Sequence, residues 1–213
     1  MDTCIDKGKD SALGTSQYRL VVVGSSTGGP TALQLMLSQL PADFPVPVVV
    51  VQHIALGFID GMVAWLAKSC AVPISIAQLG ERIHRGHVYV APDSVHMGID
   101  SHGRVIFNDE PPMHSVRPAA SYLFSSAGVR EGKGIIGILL TGMGCDGAQE
   151  LFELHQRGAV TLLQDQSSCV VYGMPGVAAK LGAGDYHLPP DKIGQKLVDL
   201  VMNVDRSSGE AWR

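Results

Sequence analysis

A serine set among glycines, just after a run of valines, is the first group in this chain placed to do chemistry. The run Gly24-Ser25-Ser26-Thr27-Gly28-Gly29-Pro30 follows Arg19 to Val23, a short β-branched segment that reads as a buried strand. Its Gly24-x-Ser26-x-Gly28 core has the spacing of a nucleophile elbow. In such an elbow small neighbours permit a sharp turn, the serine is thrust outward, and helix-start N–H groups face a reacting carbonyl. The same short pattern fits a turn whose serine only caps a helix. It also invites comparison with a dinucleotide-binding loop, where glycines after the first strand cradle a pyrophosphate. That comparison fails twice. The spacing Gly24-x-x-x-Gly28-Gly29 is not G-x-G-x-x-G, and the second strand, ending at Val51, leads into Gln52-His53 where an acidic residue should bind ribose.

His53 at that strand end has its own use. An imidazole on the same rim as Ser26 can take the serine proton and later give it to a leaving alcohol; the plainer alternative is a histidine that only hydrogen-bonds a loop. A third member would be a buried carboxylate that orients the imidazole. Asp146 stands in a second glycine-rich loop, Leu140 to Ala148, after a predicted strand and before a helix; Asp165, also just past a strand, competes with it. Asp146 would otherwise serve as an ordinary helix N-cap. Cys145 could be read as a thiol nucleophile facing His53, but nothing around it argues for a depressed thiol pKa. Glu81-x-x-His84-x-x-His87 has metal-like intervals on a turn entering a strand; it reads as a solvated loop, and no metal site is expected.

The elements that must position these residues alternate. Helical spacing or helix signals cover Pro30 to Leu40, Phe58 to Cys70, Ala119 to Arg130, Ala148 to Arg157, Met174 to Leu181 and Asp191 to Asn203. Strands are predicted at Arg19 to Val23, Pro47 to Val51, Ile74 to Ala77, His87 to Val90, Ile135 to Leu140, Val160 to Leu163 and Tyr186 to Leu188. Asp100-Ser101-His102-Gly103 is a turn signal that makes a β-hairpin of its flanks. The expected fold is α/β: a three-layer αβα sandwich with a mainly parallel, Rossmann-like sheet and an antiparallel hairpin at one edge. Active groups in such a sheet collect at the carboxyl ends of strands. Residues 1–17 read as a flexible lead-in, 18–204 as one catalytic domain and 205–213 as a polar tail.

Composition narrows the function classes. Of 213 residues, 46% are hydrophobic and 17% charged, as in a well-packed globular protein. A net charge of -4, with no Lys/Arg block, leaves no electrostatic footprint for nucleic acid. No apolar run approaches the ~20 residues that span a bilayer, so no membrane insertion is expected. Cys4, Cys70, Cys145 and Cys169 lack any C-x-x-C pair, which suits a reducing cytoplasm better than a disulfide framework.

Taken together, Gly24 to Gly29, Val51-Gln52-His53 and Leu140 to Ala148 resemble the protein-glutamate methylesterases of bacterial chemotaxis, the CheB family. Gly80-Glu81-Arg82, Gly86 to Pro92, His96-Met97 and Ser168 to Pro175 extend the resemblance, in order, from about residue 19 to residue 203. It implies a serine esterase that hydrolyses glutamate γ-methyl esters on chemoreceptors and also deamidates certain glutamines, with no cofactor. It assigns Ser26, His53 and Asp146 to the catalytic triad, and the backbones of Thr27 and Met143 to the oxyanion. Gly28 and Arg117 are expected at the oxyanion and substrate contacts. The implied partner is the methylated helical cytoplasmic region of a chemoreceptor. Two departures stand out. Nothing before Tyr18 reads as the family's receiver domain, so a receiver partner would act in trans. The segment Val116-Arg117-Pro118-Ala119-Ala120-Ser121 differs from the usual His-(Arg/Lys)-Pro-Ser-Val-Asp, which bears on substrate fit. The alternatives are a same-fold hydrolase for another protein or a small ester, a catalytically silent receptor-binding domain, and a nucleotide-binding oxidoreductase.

Overall fold

The computed structural model describes residues 17–128 and 132–202. The expected lead-in, except Gln17, and the polar tail lie outside the described residues, as do positions 203–204 of the expected domain.

Chain order gives β1 (Leu20–Ser25), α1 (Gly29–Leu37), β2 (Val48–Gln52), α2 (Ile59–Ser69), β3 (Ile74–Ile76), β4 (Val88–Val90), β5 (His96–Ile99), β6 (Val105–Asn108), α3 (Ala120–Ala127), β7 (Ile135–Leu139), α4 (Ala148–Gln156), β8 (Val160–Gln164), α5 (Met174–Leu181), β9 (Tyr186–Leu188) and α6 (Pro190–Met202). Seven strands form one sheet in the order β3-β4-β2-β1-β7-β8-β9, and every pairing in it is parallel. The chain winds outward from β1 in one direction, then returns to set β7 on the other side of it. That reversal opens a crevice at the carboxyl ends of β1 and β7.

Valines dominate the central strands because both faces are covered. Val21 and Val23 face a core built with α1, α2 and α6, whose Leu33, Met36, Leu66 and Leu197 are fully buried. Leu20 and Val22 face a second core, with Leu123 and Phe124 of α3, Leu151 of α4 and Ala178 of α5. This is the three-layer sandwich the alternation predicts.

The hairpin forms where the turn signal puts it, but β5 and β6 make their own two-stranded antiparallel sheet and do not extend an edge of the main one. The free edge of β6 is taken by the preceding loop: Gly80 N–H donates to Val105 O (2.8 Å) and Val105 N–H to Glu81 O (2.8 Å). On its other side β5 lies directly on α3. A Cβ at Gly98 would sit 2.8 Å from Ser126 Oγ and 3.0 Å from a Tyr122 ring carbon, so only glycine lets strand and helix approach that closely.

Close packing also explains a helical glycine. In α6, a Cβ at Gly194 would come within 2.3 Å of the Met36 carbonyl of α1. Gly61 of α2 has nothing within 4 Å of such an atom. Gly194→Ala is therefore expected to destabilise by about 1–3 kcal/mol through overpacking. Gly61→Ala should stabilise by up to about 1 kcal/mol through helix propensity. Urea midpoints of the two variants against the parent check both signs.

Candidate active site

The β1–β2 register brings the first two residues together. Ser25 pairs with Gln52, and the ladder continues one bond further, with His53 N–H donating to Ser25 O at 2.9 Å. Ser26 and His53 thus leave the sheet side by side. Gln52, 2% exposed, ties the two exits: its Nε2 donates to the carbonyls of Ser26 (2.8 Å) and His53 (2.7 Å), and its Oε1 accepts from Ser25 Oγ (2.7 Å). Gly29 makes room for it, since a Cβ there would fall 2.0 Å from Gln52 Oε1. Sequence reasoning passed over Gln52. Its one signal was a polar residue ending a strand of four valines.

Beyond Ser26 the chain turns through Gly28, whose φ of +82° and N-cap position start α1. The loop after β7 then comes alongside. Gly142 carries no side chain because a Cβ would meet Met174 Sδ at 2.4 Å and Ser26 Cβ at 2.7 Å. Thr141 holds the two loops: its carbonyl accepts Ser26 N–H (3.0 Å), its Oγ1 donates to Thr27 O (2.9 Å), and its N–H donates to Gln164 Oε1 (2.8 Å). This leaves Met143 beside Ser26 and 76% exposed. Neither the Thr27 nor the Met143 N–H has a hydrogen-bond partner among the described residues.

Asp146 closes the group. Its Oδ2 lies 2.8 Å from His53 Nε2 and accepts Ala120 N–H (2.6 Å), while its Oδ1 accepts Ser121 N–H (3.0 Å). A carboxylate only accepts here, so Nε2 carries the ring proton and Nδ1 is the bare nitrogen. Neither His53 Nδ1 nor Ser26 Oγ has a hydrogen-bond partner among the described residues. Two of the donors on Asp146 are the first N–H groups of α3, a helix with no side-chain cap of its own. Asp146 therefore acts as that helix's cap from 25 residues away. Burial pushes its carboxyl up, but the hydrogen bonds from His53 and Ser121 outweigh that, and it stays below the ordinary aspartate value of 3.8.

The segment that departs from the family pattern supplies the N–H groups that Asp146 caps. His96, fully buried and stacked on Tyr122, accepts Ala119 N–H on Nδ1 (3.2 Å) and donates from Nε2 to Pro111 O (3.2 Å). Ser121 Oγ accepts Gly147 N–H (2.9 Å) and donates to Glu150 Oε2 (2.7 Å), binding the starts of α3 and α4 around Asp146. Arg117, expected near substrate, donates from Nη1 to the carbonyls of Asp109 (2.7 Å) and Glu110 (3.0 Å) and so braces its own loop. Met113 to Val116 make a tight turn in which His114 and Ser115 both have positive φ.

Other candidates fall away from the group. Asp165 follows β8, three places from β2, and accepts the hydroxyls of Ser167 and Ser168. Cys145 Sγ approaches His114 Nδ1 at 3.6 Å on the exposed rim, not His53. Glu81 Oε2 accepts Gln78 N–H and His87 Nε2 meets Ser75 Oγ at 2.8 Å; no cluster of metal-binding side chains occurs among the described residues.

A carboxylate held below its ordinary pKa stabilises the fold above pH 3.8, and that contribution is lost as pH falls through the folded-state value. Asp146→Asn should be less stable than the parent near neutral pH, with the gap narrowing as pH falls below the ordinary aspartate value of 3.8 and through the lower folded-state value. Urea midpoints across that range test it; a constant gap would contradict the assignment.

The chain is similar to known proteins of one family. The CheB methylesterase family profile matches residues 21–197. Protein-glutamate methylesterase/protein-glutamine glutaminase 2 of Methanospirillum hungatei is 49% identical over 182 residues, 85% of this chain and 52% of its own length. The corresponding enzyme 1 of Syntrophus aciditrophicus is 45% identical, with 89% of this chain and 54% of that protein covered. The crystal structure of the Thermotoga maritima CheB methylesterase catalytic domain superposes with a TM-score of 0.83 at 37% identity, over 86% of this chain and 99% of that one. The chain spans about half the length of the curated relatives it matches. With the fold, the loop sequences and the family profile in agreement, the chain belongs to the CheB methylesterase family.

Proposed function

We propose that this chain hydrolyses γ-methyl esters of glutamate on a chemoreceptor, and deamidates glutamine through the same acyl intermediate, with Ser26 as nucleophile. The observation that carries the reading is the convergence of Ser26, His53 and Asp146 from three adjacent strands, with a 2.8 Å contact between His53 and Asp146. The names of the relatives supply the ester and amide substrates.

His53 takes the Ser26 proton on Nδ1 as Ser26 Oγ attacks the ester carbonyl. The N–H groups of Thr27 and Met143 hold the oxyanion; losing one such donor typically costs ~10²–10³ in rate. Methanol leaves with the proton from His53. Water, deprotonated by the same nitrogen, then releases the glutamate carboxylate and restores Ser26. Ammonia is the leaving group when glutamine is the substrate. Asp146 keeps the ring proton on Nε2 and balances the imidazolium that forms. No step calls for a metal or organic cofactor.

The exposed surroundings of Ser26 suit a side chain standing out from a receptor helix. A cytoplasmic setting follows from that substrate. It is consistent with the free thiols of Cys70, Cys145 and Cys169, and no helix among the described residues is long and apolar enough to cross a membrane.

Methanol release from a methylated receptor tests the reading. The parent should release methanol, and Ser26→Ala and His53→Ala should each lose activity on the order of 10⁴-fold or more, with Ser26→Ala keeping the parent's unfolding free energy within about 1 kcal/mol. No methanol from the parent, or full activity in Ser26→Ala, would sink it.

A further inference from the structure

At the end of the sheet away from Ser26 lies a cavity of about 480 Å³. Leu20 opens β1, Ile135 opens β7 and Pro47 precedes β2, so its floor is the amino-terminal edge of the central strands. Six strand residues, at roughly 3.3 Å each, separate that floor from the Ser26 loop. The volume falls in the range of small-molecule sites, about 300–1,000 Å³. This cavity has no part in the chemistry of the triad.

Its lining has two characters. Ile83, Ile99 and Ile106 continue the aliphatic wall over the hairpin side. Arg82 and Arg85, both exposed, line it too, and neither enters an ion pair among the described residues. Arg19 also lines it. Against these cations stands one lining carboxylate, Asp100, whose Oδ1 is taken by the N–H groups of His102 (2.8 Å) and Arg104 (2.9 Å). Aliphatic side chains beside the exposed guanidinium groups of Arg82 and Arg85 complement a ligand with an apolar body and one anionic head.

We infer that this cavity is a binding site for a small amphipathic acid, separate from the esterase site. The acid lays its hydrocarbon against Leu20, Ile99 and Ile135 and its head group against Arg82 and Arg85. Ser126 and Ala127, in the last turn of α3, form part of the wall. Asp146 caps the first turn of the same helix. An occupant therefore touches the helix that positions the triad without touching the triad.

Octanoate is the probe, with octanol as its uncharged counterpart. Octanoate is titrated to about 10 mM, a range suited to a ten-atom ligand, and octanol up to its aqueous solubility, into the ¹⁵N-labelled chain while amide shifts are followed. Saturable octanoate shifts are expected at Ile83, Ile99, Gly103, Ser126 and Ile135, with smaller ones at Ala120 and Ser121 through α3. Octanol should bind about tenfold or more weakly, and Arg82→Gln/Arg85→Gln should lower octanoate affinity by about the same factor. Ile83→Trp, a loop substitution that fills the cavity, should abolish the shifts while leaving the remaining spectrum intact. Absence of saturable octanoate binding, equal affinity for octanol, or shifts centred on the Ser26 and His53 loops would each overturn the inference. The titration contains no ester, so its outcome is independent of the methanol assay.

Discussion

A carboxylate that is 2% exposed needs hydrogen-bond donors on every side, and Asp146 finds them on elements that would otherwise have no reason to meet. His53 arrives from the end of β2, and Ala120 and Ser121 arrive as the open start of α3. The benefit runs in both directions. The helix gains a cap it does not encode, and the charge gains two fixed N–H dipoles aligned with the helix axis. The imidazole between Asp146 and Ser26 is then held in one tautomer. Ser121 and Glu150 tighten the same junction from the α4 side, and His96 does so by fixing the residue before the helix.

Glycine makes the second contribution, by removing obstacles. Gly142 lets the β7 loop lie against Ser26, Gly29 admits the Gln52 amide, and Gly28 supplies the left-handed turn that frees the N–H groups at the serine. A side chain at Gly142 or Gly29 would push apart two loops whose closeness makes the site. The valines of β1 and β2 provide the rigid base. Buried on both faces, they permit one register, and that register decides that Ser26 and His53 emerge together.

Ser26 and His53 were readable in the sequence because their placement is local. Each follows a strand whose pattern is unmistakable, and strand ends in a parallel sheet share a rim. Spacing favoured Asp146 over Asp165 only slightly and resemblance did the rest, since spacing does not reveal which strand neighbours β1; the sheet order does. Gln52 and the capping of α3 were invisible because their partners are remote, the Gln52 bond to Ser26 spanning 26 positions and the Asp146 bonds to Ala120 and Ser121 spanning 26 and 25. The hairpin was recognisable from its turn, yet its place was set by what covers its two edges, the loop before β4 and helix α3. Arg117 was expected near substrate only through the resemblance, and the bonds it makes to the carbonyls of its own loop had no local signal.

The missing cap on α3 bears on how the molecule assembles. An eight-residue helix without a side-chain cap has little tendency to start by itself. Its first turn gains a partner only when the β7 loop, 25 or 26 positions further along the chain, has closed over it. Closure of that loop in turn depends on β7 having docked beside β1. Local order and long-range docking therefore arise in a single cooperative event, and an intermediate lacking β7 would hold neither a formed α3 nor an oriented His53. The candidate site and helix α3 are one folding unit.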